Sequence, residues 1–168
     1  LEKYKDFKEG IPISKPGDFN AKLKAATANP CTCMENLGID GHGGSWSGGA
    51  QEFAPRKFKA LGERSFGVKK DKDGKIVPYN FEIFDGITFC RPCKIRLGGC
   101  YVALNTPKAE AGPSGFKGAG DALGKALSTK TGCSVTAYTD LTTPPKAGEF
   151  KGGAGGKWVT TEPEKTKK

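Results

Sequence analysis

The chain is 168 residues long, and its 27 Lys and Arg against 18 Asp and Glu give a formal charge of +9 at pH 7. Only 36% of residues are hydrophobic, while Gly and Pro take 25 and 11 positions; this balance argues against a large multidomain core and favours acidic partners. No apolar run approaches the roughly 18 residues of a membrane span, so none is expected.

The opening LEKYKDFKEG lacks an apolar stretch of the secretory-signal kind. A first helix is predicted within GDFNAKLKAATANP, with Asp18 as N-cap, Phe19 and Leu23 one turn apart, and Pro30 as terminator. CTCMENLGIDGHGGSWSGGA follows, and its glycines from Gly38 to Gly49 read as a loop carrying His42 and Trp46. FAPRKFKALGERSFGVKKDKDGK then sets Phe53, Phe58 and Phe66 among basic residues, with KDKDG as a turn signal. Rings spaced along a Lys/Arg-rich segment suit anchoring on a partner; the alternative is burial in the chain's own core.

In IVPYNFEIF, Tyr79, Phe81 and Ile83 alternate with Asn80, Glu82 and Phe84, predicting a strand with edge character at Pro78. Asp85–Gly86 turns the chain, and CKIRL and CYVAL predict two more β segments around Gly98–Gly99. GDALGKALSTKTG predicts a second helix, capped by Asp121, with Leu123 and Leu127 on one face and Gly132 at its close. CSVTAYT is the last predicted strand, and the tail beyond it is linker-like, with Phe150 and Trp158 as its large anchors. The chain thus divides into an N-terminal extended arm, 1–74, with one short helix and a Gly-rich loop; a β-ribbon and helix core, 75–140; and a Gly/Lys-rich tail, 141–168. The expected fold is α+β with low regular content: a small antiparallel β-ribbon, one or two short helices and long extended arms.

The cysteines stand as CxC at Cys31 and Cys33, CxxC at Cys90 and Cys93, then Cys100 and Cys133. Two close pairs can supply four thiolates to tetrahedral zinc, although CxC is tight for a zinc knuckle and Pro92 stiffens the CxxC. Three disulfides in a secreted protein are the other option, and would hold a thin core together. His42 is the one histidine and lacks a neighbouring nucleophile or paired base, and no phosphate loop, HExxH or GxSxG occurs, so no enzyme is expected. No RNA-binding signature of the RRM type is present, and nucleic acid is not an expected partner.

VPYNFEIFDGITFC resembles the PVxxIFDxRGC-like opening of cryptophyte phycobiliprotein α subunits and the related motif of red algal phycobilisome scaffold and linker proteins. Ile83, Phe84 and Asp85 match its triplet, Val77–Pro78 stand before it in reversed order, and Cys90 falls near its cysteine with Arg91 after it. CKIRLGGCYVAL, GPSGFKGAG and DALGKAL follow in similar order, so the resemblance covers Lys75 to Lys130. It implies a non-enzymatic linker of a light-harvesting phycobilisome, on the stromal face of the chloroplast thylakoid, holding phycoerythrin-type β subunits and other linker proteins. Phe81, Ile83, Phe84, Asp85 and Arg91 would make the ribbon's contacts, with Phe53, Phe58, Phe66 and Trp158 anchoring the arms. Cys90 would be the attachment point of any covalent bilin, and the remaining thiols would be reduced, small and buried. Two rivals stand beside it on the residues: a secreted, disulfide-stapled basic protein of effector or toxin type with binding or nuclease action, and a zinc-stabilised nucleic-acid binder.

Overall fold

The computed structural model describes residues 16–39, 50–52, 65–99, 102–103, 119–139, 142–146, 149–152 and 155–164. They form a mixed α+β fold of low regular content. Helix α1, Pro16–Ala26, starts on a proline whose missing N–H costs nothing there, and Asp18 sits in its first turn, favourable to the helix dipole. Phe19 and Leu23 are its buried face. The Thr27 hydroxyl donates to the Leu23 carbonyl, and Asn29, Pro30, Cys31 and Thr32 then make a turn closed by the Thr32 N–H on the Asn29 carbonyl at 2.8 Å.

The main sheet has four strands in the order β1 (Met34–Ile39), β5 (Phe89–Leu97), β6 (Ser134–Tyr138), β9 (Trp158–Thr161). β1 and β6 run parallel to β5, and β9 runs antiparallel to β6. The parallel β5–β6 pair needs a crossover, which helix α2, Gly120–Thr131, supplies. Gly132, in a left-handed conformation, closes α2 by donating its N–H to the Ser128 carbonyl. β2 (Ala50–Glu52), β3 (Ser65–Lys70) and β4 (Ile76–Tyr79) make an antiparallel sheet, and β7 (Thr142–Lys146) pairs with β8 (Glu149–Gly152). The main sheet therefore takes strands from all three segments into which the sequence was divided: β1 from 1–74, β5 and β6 from 75–140, and β9 from 141–168.

Three expectations are corrected. The strand predicted through IVPYNFEIF ends at Tyr79; Asn80 is left-handed at φ 56° and Phe81–Phe84 wind into a 3-10 helix. The reason is packing: a strand would bury Phe81 and Ile83 on one face and turn Phe84 outward, whereas the helical turn buries all three. CKIRL is the end of a longer β5, and Val102 and Ala103 of CYVAL lie in a buried turn, with the Ala103 N–H donated to the Tyr138 carbonyl. Finally, the linker-like tail contains β9, which completes the main sheet.

One core joins both larger sheets and both helices. Phe66 is its aromatic centre, edge-on to Phe84 at 5.2 Å and to Phe81 at 6.1 Å, while Phe84 also meets Phe19 at 5.7 Å. Each such fully buried ring contributes roughly 1.5–3 kcal/mol through lost apolar surface. α2 reaches the sheet through glycines: a Cβ on Gly124 would overlap the Thr161 hydroxyl, and one on Gly120 would overlap the Ala103 backbone. Leu123 and Leu127 fill the space beside them.

Two disulfides fasten β5 to both of its neighbours. Between Met34 and Asn36 the register against β5 jumps from Phe89 to Lys94, so Cys90, Arg91, Pro92 and Cys93 form a bulge. Cys90 bonds to Cys33, just before β1, and Cys93 bonds to Cys133, just before β6. The loops they close, of 57 and 40 residues in separation, follow one another along the chain. Chain entropy alone assigns roughly 4 kcal/mol to each. The expectation of mostly reduced thiols is thereby overturned, and three of the four thiols in the zinc set, Cys33, Cys90 and Cys93, are consumed.

Candidate docking surface

The side chains of the main sheet alternate between two faces. Leu37, Ile95 and Val135 share one register row, and Ile39, Leu97 and Ala137 the next; all six are buried beneath α2 and the core. The opposite face presents Asn36, Lys94 and Ser134 in one row and Gly38, Arg96, Thr136 and Thr160 in the other. Tyr138 and Trp158 form a third pair across β6 and β9. α2 packs on the buried face and α1 packs on the 3-10 helix, so neither helix covers this outer face.

Its centre is aromatic and cationic. The Arg96 guanidinium carbon stands 4.6 Å from the centre of the Trp158 ring, and the Tyr138 ring lies 5.0 Å from the same indole at 59°. A guanidinium stacked on Trp gains about 0.5–2 kcal/mol. The hydroxyls of Thr136 and Thr160 bond at 2.9 Å beside the stack, and Ser134 donates to Glu162 at 2.8 Å. Lys94 is exposed one row away. Trp and Arg are among the side chains that dominate protein interfaces; Arg96 and Trp158 are half-buried here, while Tyr138, 5% exposed, backs the indole from within. The arrangement can hold a carboxylate-bearing surface.

Of the described residues that the sequence singled out, Trp158 alone lies on this face. Phe81, Ile83 and Phe84, expected as partner contacts, are buried in the protein's own core, as is Phe66, which is 0% exposed. Those four expectations are corrected: the three rings and Ile83 fold inward and, with Phe19, pack into the core. Cys90, expected as a bilin site, has its sulfur in the bond to Cys33. Asp85 is exposed and ion-paired with Lys130, and its carbonyl accepts from the Asn20 amide at 3.0 Å. Arg91 is exposed, donates to the Cys90 carbonyl at 3.0 Å and stands over Gly132. Asp85, through Lys130, and Arg91, over Gly132, both lie near the C-terminal end of α2, where the Arg91 cation faces the negative pole of the helix. Phe53, Phe58, His42, Trp46 and Cys100 lie outside the described residues.

Sequence reasoning missed Lys94, Arg96 and Tyr138. Their signal was the alternation in CKIRL and SVTAY, which puts Lys94 and Arg96 opposite to Ile95 and Leu97. Among the described residues no group of acidic, His or Cys side chains is arranged to hold a metal, and no described helix is long and apolar enough to cross a membrane. No protein-family model, no curated protein and no solved structure matches the chain.

Proposed function

We propose that the protein is a non-enzymatic scaffold that docks acidic protein subunits on the outer face of its main sheet. Subunits of the phycoerythrin type are the partner class to which the match at Ile83, Phe84 and Asp85 points. The observation that carries the reading is the Arg96–Trp158 stack beside Tyr138, on a face that neither helix covers. The +9 charge steers an acidic body toward the protein, Lys94 and Arg96 pair with its carboxylates, and the Trp158 ring supplies most of the affinity once water is excluded. No bond is made or broken; the work is to fix spacing and orientation. A pigment on Cys90 is not part of this reading, since that sulfur is already bonded.

Sedimentation of the full chain with purified phycoerythrin-type phycobiliprotein tests it. Co-sedimentation at low salt, weakening as salt rises and falling about tenfold in Trp158→Ala, is expected. Separate sedimentation at low salt, or an unaffected Trp158→Ala, would overturn it.

The disulfides favour a second reading, a secreted basic binder working in an oxidising compartment, because stromal thiols are kept reduced. Alkylation of protein taken directly from its source separates the two. Four thiols blocked at Cys33, Cys90, Cys93 and Cys133 without reductant would favour the stromal scaffold, and four protected ones the secreted binder.

A further inference from the structure

The hairpin of β3 and β4 carries charge that the main sheet does not use. Lys69, Lys70, Lys72 and Lys75 are all exposed, against Asp71 and Asp73 within the same turn. Asp71 is committed to the turn itself: its carboxylate accepts the Asp73 and Lys75 N–H groups, each at 2.9 Å. Two backbone bonds join Asp71 to Lys75 and to Gly74, and Gly74 takes the positive φ of 78° that closes such a loop. The tip is therefore held in one shape before anything binds. Among the described residues Lys70, Lys72 and Lys75 form no ion pair, and Lys69 lies 5.8 Å over the Tyr79 ring.

Strand parity places these cations on both sides of the hairpin. Lys70 follows Phe66 and Val68 on one face, Lys69 lies on the other, and Lys72 and Lys75 extend from the tip. Ile76, opposite Lys70, is 43% exposed and gives the tip an apolar point between basic groups. We infer that the β3–β4 hairpin is a docking finger that enters a carboxylate-lined cleft on a partner protein. A flat anionic membrane would engage one face and leave the other cation in water. A nucleic-acid groove would meet Ile76 with phosphates and polar base edges instead of an apolar floor. A cleft lined by carboxylates satisfies both faces and receives Ile76 on its floor, while the preformed turn removes an ordering cost. Phe66 and Val68 belong to the core under the main sheet, so the finger stands on the side away from Arg96 and Trp158. Its action is independent of what occupies that outer face.

The test uses the full chain and polyglutamate as the acidic probe, with phosphatidylserine vesicles and a short DNA duplex as the other two surfaces. Reversing Lys70, Lys72 and Lys75 to Glu is expected to weaken polyglutamate binding about tenfold or more, whereas reversing Lys24, Lys125 and Lys157, an equal change in net charge, weakens it less than about threefold. Ile76→Ser is expected to lower affinity without changing the salt dependence. Equal losses in the two charge-reversed proteins would overturn the inference, as would hairpin-dependent binding found on vesicles or DNA but not on polyglutamate. Because this experiment contains no phycobiliprotein, failure of the scaffold reading and failure of the finger are separately visible.

Discussion

Arg96 on β5 and Trp158 on β9 are brought into a stack although β6 runs between their strands. The stack crosses over the small Thr136, which leaves room for both side chains. Arg96→Lys keeps the charge and loses the planar stack, so binding of an acidic partner should fall about three- to tenfold while the fold is retained. Titration of the partner at two salt concentrations checks this: the salt slope should be unchanged.

Phe84 touches Phe19, Phe66 and Phe81 and is 3% exposed. Phe84→Ala should cost about 3–5 kcal/mol of stability in the isolated protein. Urea unfolding of the monomer measures it. Had Phe84 been a contact held ready for a partner, the monomer would be almost indifferent to the change.

The two disulfides differ in access. Cys33 is exposed and Cys90 half-buried, whereas Cys93 and Cys133 are 3% and 0% exposed. Under rising reductant the Cys33–Cys90 bond should open first, leaving Cys93–Cys133 intact, because an attacking thiolate must reach the sulfur. Alkylation followed by peptide mass mapping gives the order. Cys31, exposed and unpaired, should label without reductant. Replacing both Cys93 and Cys133 by Ala should cost about 2–5 kcal/mol.

The glycines of α2 make opposite demands. Gly124→Ala gains up to about 1 kcal/mol in helix propensity but drives a methyl into the Thr161 hydroxyl, a side chain that can be removed. Gly124→Ala should therefore destabilise the protein alone and be largely rescued by Thr161→Ala. Gly120→Ala meets the Ala103 backbone instead and should cost about 1–3 kcal/mol or more with no side-chain rescue. Thermal melts of the four proteins decide between these outcomes.

What the sequence revealed was local. The spacing of Phe19 with Leu23 and of Leu123 with Leu127 marked the helices, and KDKDG marked the turn between β3 and β4, because those signals act within one or two turns of chain. Trp158 stood out, with Phe150, as a large ring in a polar tail. The parallel pairing of β1 with β5 was hidden, since its partners lie more than fifty residues apart by register, Met34 against Phe89. Phe81 to Phe84 misled because alternation cannot tell a strand from a turn that buries every apolar side chain. Cysteine spacing could not choose a pairing, since six cysteines allow 15 connectivities. Phe66 among lysines read as an anchor because its neighbours in space, Phe81 and Phe84, are distant in the chain.

From Cys33 to Cys133 the polypeptide is two successive covalent rings, the first sealed at Cys90 and the second begun at Cys93. Only the linkages around Arg91 and Pro92 belong to neither. A protease that severs one peptide bond within a ring yields pieces still tethered to each other. The single basic residue between the rings precedes a proline, where trypsin-like enzymes do not cut. A copy nicked once within either ring thus stays one covalent body until its sulfur bonds are broken.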